Sequence, residues 1–97
     1  MEKRTPHCPL ERVKVLAAAR RISPTSAALR GAKALGDYPG MLEVISGLER
    51  TDFYKSMTSH MDHRVWQDVY RPLTAIGYVY LKLSVVDDVL IVSFKGL

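Results

Sequence analysis

Ninety-seven residues, 47% hydrophobic and 25% charged, fit one domain spanning residues 1–97 and exclude both a disordered chain and two independent cores. The longest apolar runs, Val15 to Ala19 and Val89 to Val92, fall far below the roughly 20 residues that cross a bilayer. The opening MEKRTPHCPLERVK turns charged before an apolar leader core can form, so no membrane partner and a cytoplasmic location are expected. The net charge of +4 is uneven: residues 1–36 hold eight Lys/Arg against Glu2 and Glu11, whereas residues 37–97 hold six against eight acids. A basic first third attracts polyanions over about a Debye length, although charge alone favours the plainer reading of Arg12, Lys14, Arg20, Arg21, Arg30 and Lys33 as solvated helix faces.

Three helices are predicted in the first half. The first opens after Pro9 and aligns Leu10, Val13, Leu16 and Ala17 on one stripe, stopping near Arg20-Arg21. The second takes Ser23-Pro24 as cap and first position, with Ala28, Leu29, Ala32 and Leu35 as its apolar stripe and Gly36 as a left-handed terminator. A third, shorter helix follows Pro39-Gly40 and buries Met41, Val44, Ile45 and Leu48. Cys8 is a lone cysteine among prolines and cannot close a disulfide within the chain.

After Asp52 the period shortens from 3.6 to 2, and Val, Ile, Tyr, Trp and Phe take over. Strands are expected at about 53–58, 64–71, 77–85 and 89–95. The expected class is therefore α+β, an antiparallel sheet of about four strands in the C-terminal half packed on two or three N-terminal helices. In the last hairpin Val79, Leu81, Leu83 and Val85, with Leu90, Val92 and Phe94, face the helices.

Strict alternation fixes a register once a turn is placed. A turn on Asp87-Asp88 pairs Val86 with Val89 and hence Tyr80 with Lys95. Continued as a meander, a turn between Leu73 and Thr74 sets Gln67 opposite Tyr80, and one on Met61 sets Lys55 opposite Gln67. Lys55, Gln67, Tyr80 and Lys95 then form one polar row.

That row offers two cations, an amide and a phenol, with no carboxylate. The set suits a phosphodiester, because cations neutralise the charge that builds on the transition state, and RNA brings its own nucleophile in the 2′-OH. A second cation and partial burial would lower the pKa of a lysine toward usefulness as a base. Tyr78, Lys82 and Arg71 share the face and suit contacts with unpaired bases and the backbone. Most polar rows on such sheets are solvent faces, so residue types alone leave catalysis open. His60, Asp62 and His63, with Asp87 and Asp88 in another loop, form a competing metal-ligand cluster whose spacing matches no known motif.

The segments MEKRTPH, DFYKSMT, WQDVYRP, VYLK and DVLIVSFK resemble, in the same order, the motility quorum-sensing regulator family, toxin halves of bacterial toxin-antitoxin pairs. The resemblance runs essentially end to end and is strongest over Asp52 to Lys95, with Gly36 to Gly40 one residue shorter than the family pattern. It implies a fold akin to RelE-type ribonuclease toxins and metal-independent cleavage of messenger RNA, selective for GC-containing triplets, with no cofactor. It also implies a cognate antitoxin that binds zinc and DNA, so that DNA is reached only through the toxin-antitoxin complex. The family's active-site lysine, glutamine, tyrosine and second lysine fall on Lys55, Gln67, Tyr80 and Lys95. Which of Lys55, Tyr80 and Lys95 is base and which acid stays open, because a coupled titration belongs to the group. A non-catalytic RNA-binding or regulatory module, or an interaction protein docking an acidic partner, stays open as well.

Overall fold

The computed structural model describes residues 1–33, 36–60 and 62–96, and for 94–96 the backbone alone. Three helices, α1 (Leu10–Ala18), α2 (Ser26–Ala32) and α3 (Asp37–Ser46), pack on one face of a seven-stranded sheet. The strands are β1 (Glu2–Lys3), β2 (Ile22–Pro24), β3 (Phe53–Thr58), β4 (Trp66–Tyr70), β5 (Leu73–Thr74), β6 (Gly77–Val86) and β7 (Val89–Gly96). The sheet order is β1-β3-β4-β6-β7-β2, with β5 paired to β6; every pairing is antiparallel except β2 with β7. The expected α+β class holds, with three short strands added to the four anticipated.

Each addition has a physical reason. Ser23-Pro24 does not start the second helix: Ile22–Pro24 pairs with Leu90–Val92, and Thr25 supplies the cap by accepting the Ala28 N–H at 3.1 Å. A β-region residue with a hydroxyl is what an N-cap requires, and Thr25 meets this two residues after Ser23. Proline is tolerated at Pro24 because β2 is an edge strand. Leu29, expected in the stripe of α2, is 48% exposed, and Leu35 lies outside the described residues. Gly36 has the expected left-handed φ, +92°, and there it introduces α3, which starts at Asp37, ahead of Pro39.

The core gathers Val13, Leu16 and Ala17 from α1, Ala28 and Ala32 from α2, and Met41 and Ile45 from α3. They meet Tyr70, Val79, Leu81, Leu83, Leu90 and Val92 of the sheet. The alternation of β6 thus points Val79, Leu81 and Leu83 inward, each burial contributing on the order of 2 kcal/mol.

The chain before α1 is fastened to β3 and β4. The buried Asp68 carboxylate accepts the His7 and Cys8 N–H groups, each at 2.9 Å, and the Ser56 hydroxyl at 2.7 Å. His7 stacks on Trp66 with 5.5 Å between centroids, and the Lys3 ammonium sits 4.3 Å from the same ring. Thr58 N–H donates to the Met1 carbonyl at 3.0 Å. These contacts hold β1 as the outermost strand beside β3, where it meets Met57 and Ser56.

Candidate active site

The face of the sheet turned away from the helices carries Lys55, Gln67 and Tyr80. Its β6–β7 register is the one expected: Val86 pairs with Val89 and Tyr80 with Lys95. Asp87 and Asp88 take φ of 51° and 60° there, as a two-residue loop of primed type demands. The Lys95 side chain lies outside the described residues.

The other two registers differ from expectation. β4 pairs Asp68 with Leu83 and Tyr70 with Leu81, and β5 continues the same register with Leu73 on Tyr78. The reversal therefore falls at Ala75-Ile76, not between Leu73 and Thr74. Gly77, φ +97°, makes it possible, with the Thr74 hydroxyl donating to the Gly77 carbonyl at 2.7 Å. The four-residue slip leaves Gln67 on the same face but on the order of 13 Å along the strands from the level of Tyr80. Continuing the ladder by one step brings Arg71 level with Tyr80 instead. β3 is displaced by two residues, so Lys55 opposes Val69 and Gln67 opposes Met57; Met61, the expected turn centre, is outside the described residues. The single row is thus replaced by three adjacent levels: Arg71, Tyr80 and the Lys95 backbone; Lys55, Val69 and Lys82; Met57 and Gln67.

A register shift between Phe53 and Lys55 has a local consequence. Extra residues of this kind redirect side chains, and Tyr54 joins the face beside Lys55. The Arg71 guanidinium lies 4.9 Å from the Tyr54 ring, the Lys55 ammonium 5.5 Å from it, and the Tyr54 and Tyr80 rings meet edge to face with centroids 6.3 Å apart. Lys82 places its ammonium 5.9 Å from the Tyr80 ring. Val69 is fully buried on this face, outside the helix-side core, with Lys55 and Lys82 on either side of it in register. Long stems packing on an apolar centre hold cationic heads in place. Thr51, Asp52, Phe53, Tyr54, Arg71 and Tyr78 line an adjoining groove of about 310 Å³.

The sequence reading found no carboxylate at this site, and the structure supplies one. Glu2, on β1, forms an ion pair and hydrogen bond with Lys55. Nothing in the local pattern announces a two-residue strand, and the MEKRTPH segment carries no register of its own. The hydrogen bond from Lys55 to Glu2 raises the lysine above its ordinary pKa, outweighing its partial burial, and lowers that of Glu2. The direction is opposite to the one expected for a lysine base: Lys55 is held as an ammonium.

Two acids of the candidate metal cluster are otherwise engaged. Asp62 accepts from the Arg64 backbone at 2.9 Å and from its guanidinium at 3.1 Å, and Asp88 pairs with Arg12. Among the described residues no three His, Cys, Asp or Glu side chains gather as a metal would require. Cys8 has its thiol pushed up by burial, which disfavours a thiolate. No helix among the described residues is long and apolar enough to cross a membrane.

The chain is 57% identical over 96 residues, 98% of either sequence, to the mRNA interferase toxin MqsR of Escherichia coli (strain K12). The model of the family described as "Motility quorum-sensing regulator, toxin of MqsA" matches residues 5–96. With that span and that identity, the chain belongs to the motility quorum-sensing regulator toxin family.

Proposed function

We propose that this protein is an mRNA interferase, the toxin component of a type II toxin-antitoxin pair, acting as one domain in the cytoplasm to stop translation and growth. The observation that carries the reading is the 57% identity, over nearly all of both chains, to a protein named for that activity. The outer face supports it chemically: Lys55, Arg71 and Lys82 stand among Tyr54, Tyr78 and Tyr80, cations for phosphates beside rings for unstacked bases.

In this reading the RNA 2′-OH attacks the adjacent phosphorus, without a metal, and Lys55, Gln67, Tyr80 and Lys95 form the catalytic set. Arg71, Lys82 and Tyr78 hold the strand on either side. Gln67 then serves at a distance from Tyr80, reaching a neighbouring phosphate or base edge and not the same oxygen. The partner is a cognate antitoxin that binds zinc and DNA, so operator DNA is reached only in the complex.

Purified protein incubated with a defined single-stranded RNA in EDTA is expected to yield fragments ending in 2′,3′-cyclic phosphate. Lys55→Ala and Tyr80→Phe are expected to lose at least about 100-fold in rate. Intact RNA would leave a binding module instead, and loss of activity only on adding EDTA would return the histidine loop as a metal site.

A further inference from the structure

Attack by a 2′-hydroxyl requires an acceptor for its proton, and among the described cations and phenols of this face none is an ordinary base. Tyr54, Tyr78, Tyr80, Arg71 and Lys82 are all donors in their usual neutral-pH forms. Asp52, at the end of the groove, is committed to the Glu49 N–H at 2.8 Å. Glu2 is different. It pairs across from Met57, two residues from Lys55, which places it on the same face. Its carboxylate meets the Lys55 ammonium, yet its side chain is 56% exposed while that of Lys55 is 20% exposed. The acceptor is therefore reachable and its partner is held.

We propose that Glu2 takes the proton of the attacking 2′-hydroxyl while Lys55, its hydrogen-bond partner, gives one to the departing 5′-oxygen. This rests on the ribonuclease reading above and supplies the acid and base that the reading leaves unassigned. The O2′–P bond forms as the P–O5′ bond breaks, giving a 2′,3′-cyclic phosphate and a 5′-hydroxyl. Glu2 is then a neutral acid and Lys55 a neutral amine, side by side. One proton crossing their hydrogen bond restores carboxylate and ammonium, so the cycle closes without another residue. The charged groups that face Glu2 are Lys55 from β3 and, on its own segment, Arg4 and the Met1 amine; all favour the ionised carboxylate. A carboxylate so stabilised is a weak base, but it is ionised and in place at neutral pH.

Sulfur in place of the bridging 5′-oxygen separates the two roles, since a thiolate leaves without a proton. On ordinary RNA, Glu2→Gln and Lys55→Ala are each expected to lose about 100-fold or more. On the sulfur substrate Lys55→Ala is expected to recover most of its loss and Glu2→Gln to stay slow. Formate added to Glu2→Ala is expected to raise its rate, an effect that a lost structural contact does not produce. The assignment is overturned if Glu2→Gln cleaves within threefold of the wild type, if both variants recover on the sulfur substrate, or if formate has no effect. Wild-type protein that leaves RNA intact removes the ribonuclease reading itself, a result distinct from an active wild type with an unaffected Glu2→Gln.

Discussion

Strand β6 serves two environments on alternate residues. Val79, Leu81 and Leu83 are at most 2% exposed against the helices, whereas Tyr78 is 57% exposed, and Tyr80 and Lys82 stand with it on the outer face. The inner set is exchangeable in chemistry and fixed in volume, because dispersion and apolar burial act on any hydrophobic side chain that fills the space. Under the proposed function the outer set is fixed in chemistry, because each group is then placed for a charge or a proton. The two faces should therefore fail separately when mutated, one in stability and the other in rate.

The largest effect is expected inside. Leu81→Ala removes a side chain 1% exposed at the centre of the core and should cost about 3 kcal/mol in denaturant melts, with activity per folded molecule little changed. Lys55→Ala comes next, at 100-fold or about 2.7 kcal/mol of transition-state free energy, with melts shifted by less than about 1 kcal/mol. A Lys55→Ala protein that unfolds would erase the distinction between faces, and Val69 is where that failure would arise, since Lys55 flanks it.

Asp68 joins the two faces. It lies on the helix side, but the chain segment it holds delivers Glu2 to the outer side. Asp68→Ala leaves the buried Ser56 hydroxyl and two N–H groups without their acceptor, at an expected cost of about 2 kcal/mol. It should also lower the cleavage rate by freeing β1, and full activity in a destabilised Asp68→Ala would show that β1 does not serve the site. At the surface, Arg12–Asp88 joins α1 to the β6–β7 turn, with both side chains largely in solvent; Arg12→Ala should shift stability by about 0.5 kcal/mol and only at low salt.

What was legible in the sequence follows the same division. The inner face could be read because alternation is a strong signal: Val79, Leu81, Leu83, Leu90 and Val92 are buried as expected. The β6–β7 register was legible because two adjacent aspartates can occupy only so many places in a hairpin. The β4–β6 register was not, since Pro72, Leu73 and Thr74 look like a turn yet extend the strand to a reversal that depends on Gly77. Residue identities at the candidate site came through family resemblance, which is indifferent to register, so Lys55 and Gln67 share a face with Tyr80 at levels other than those derived, while the Tyr80 pairing with the Lys95 backbone is the derived one. Glu2 was not legible, because its position is set by Asp68, Trp66 and Thr58, more than 50 residues away.

On the inner side, Tyr70 sharpens the comparison most. Tyr70 is 1% exposed and its hydroxyl has no hydrogen-bond partner among the described residues, while burial, with Asp68 second, pushes its pKa up to about 12. If the inner face is chosen for volume alone, Tyr70→Phe should hold stability within about 1 kcal/mol, or gain it, and leave cleavage unchanged. The pH dependence has a definite sign. The folded value lies above the ordinary 10.0, so the contribution is complete below pH 10 and is lost between pH 10 and about 12 as the phenol of the unfolded chain ionises first. Denaturant melts across that interval should converge for wild type and Tyr70→Phe at its lower end and separate at its upper end, with the wild type falling faster. Equal slopes would mean that a native donor or cation stabilises the phenolate against burial, and that the inner face also carries placed chemistry.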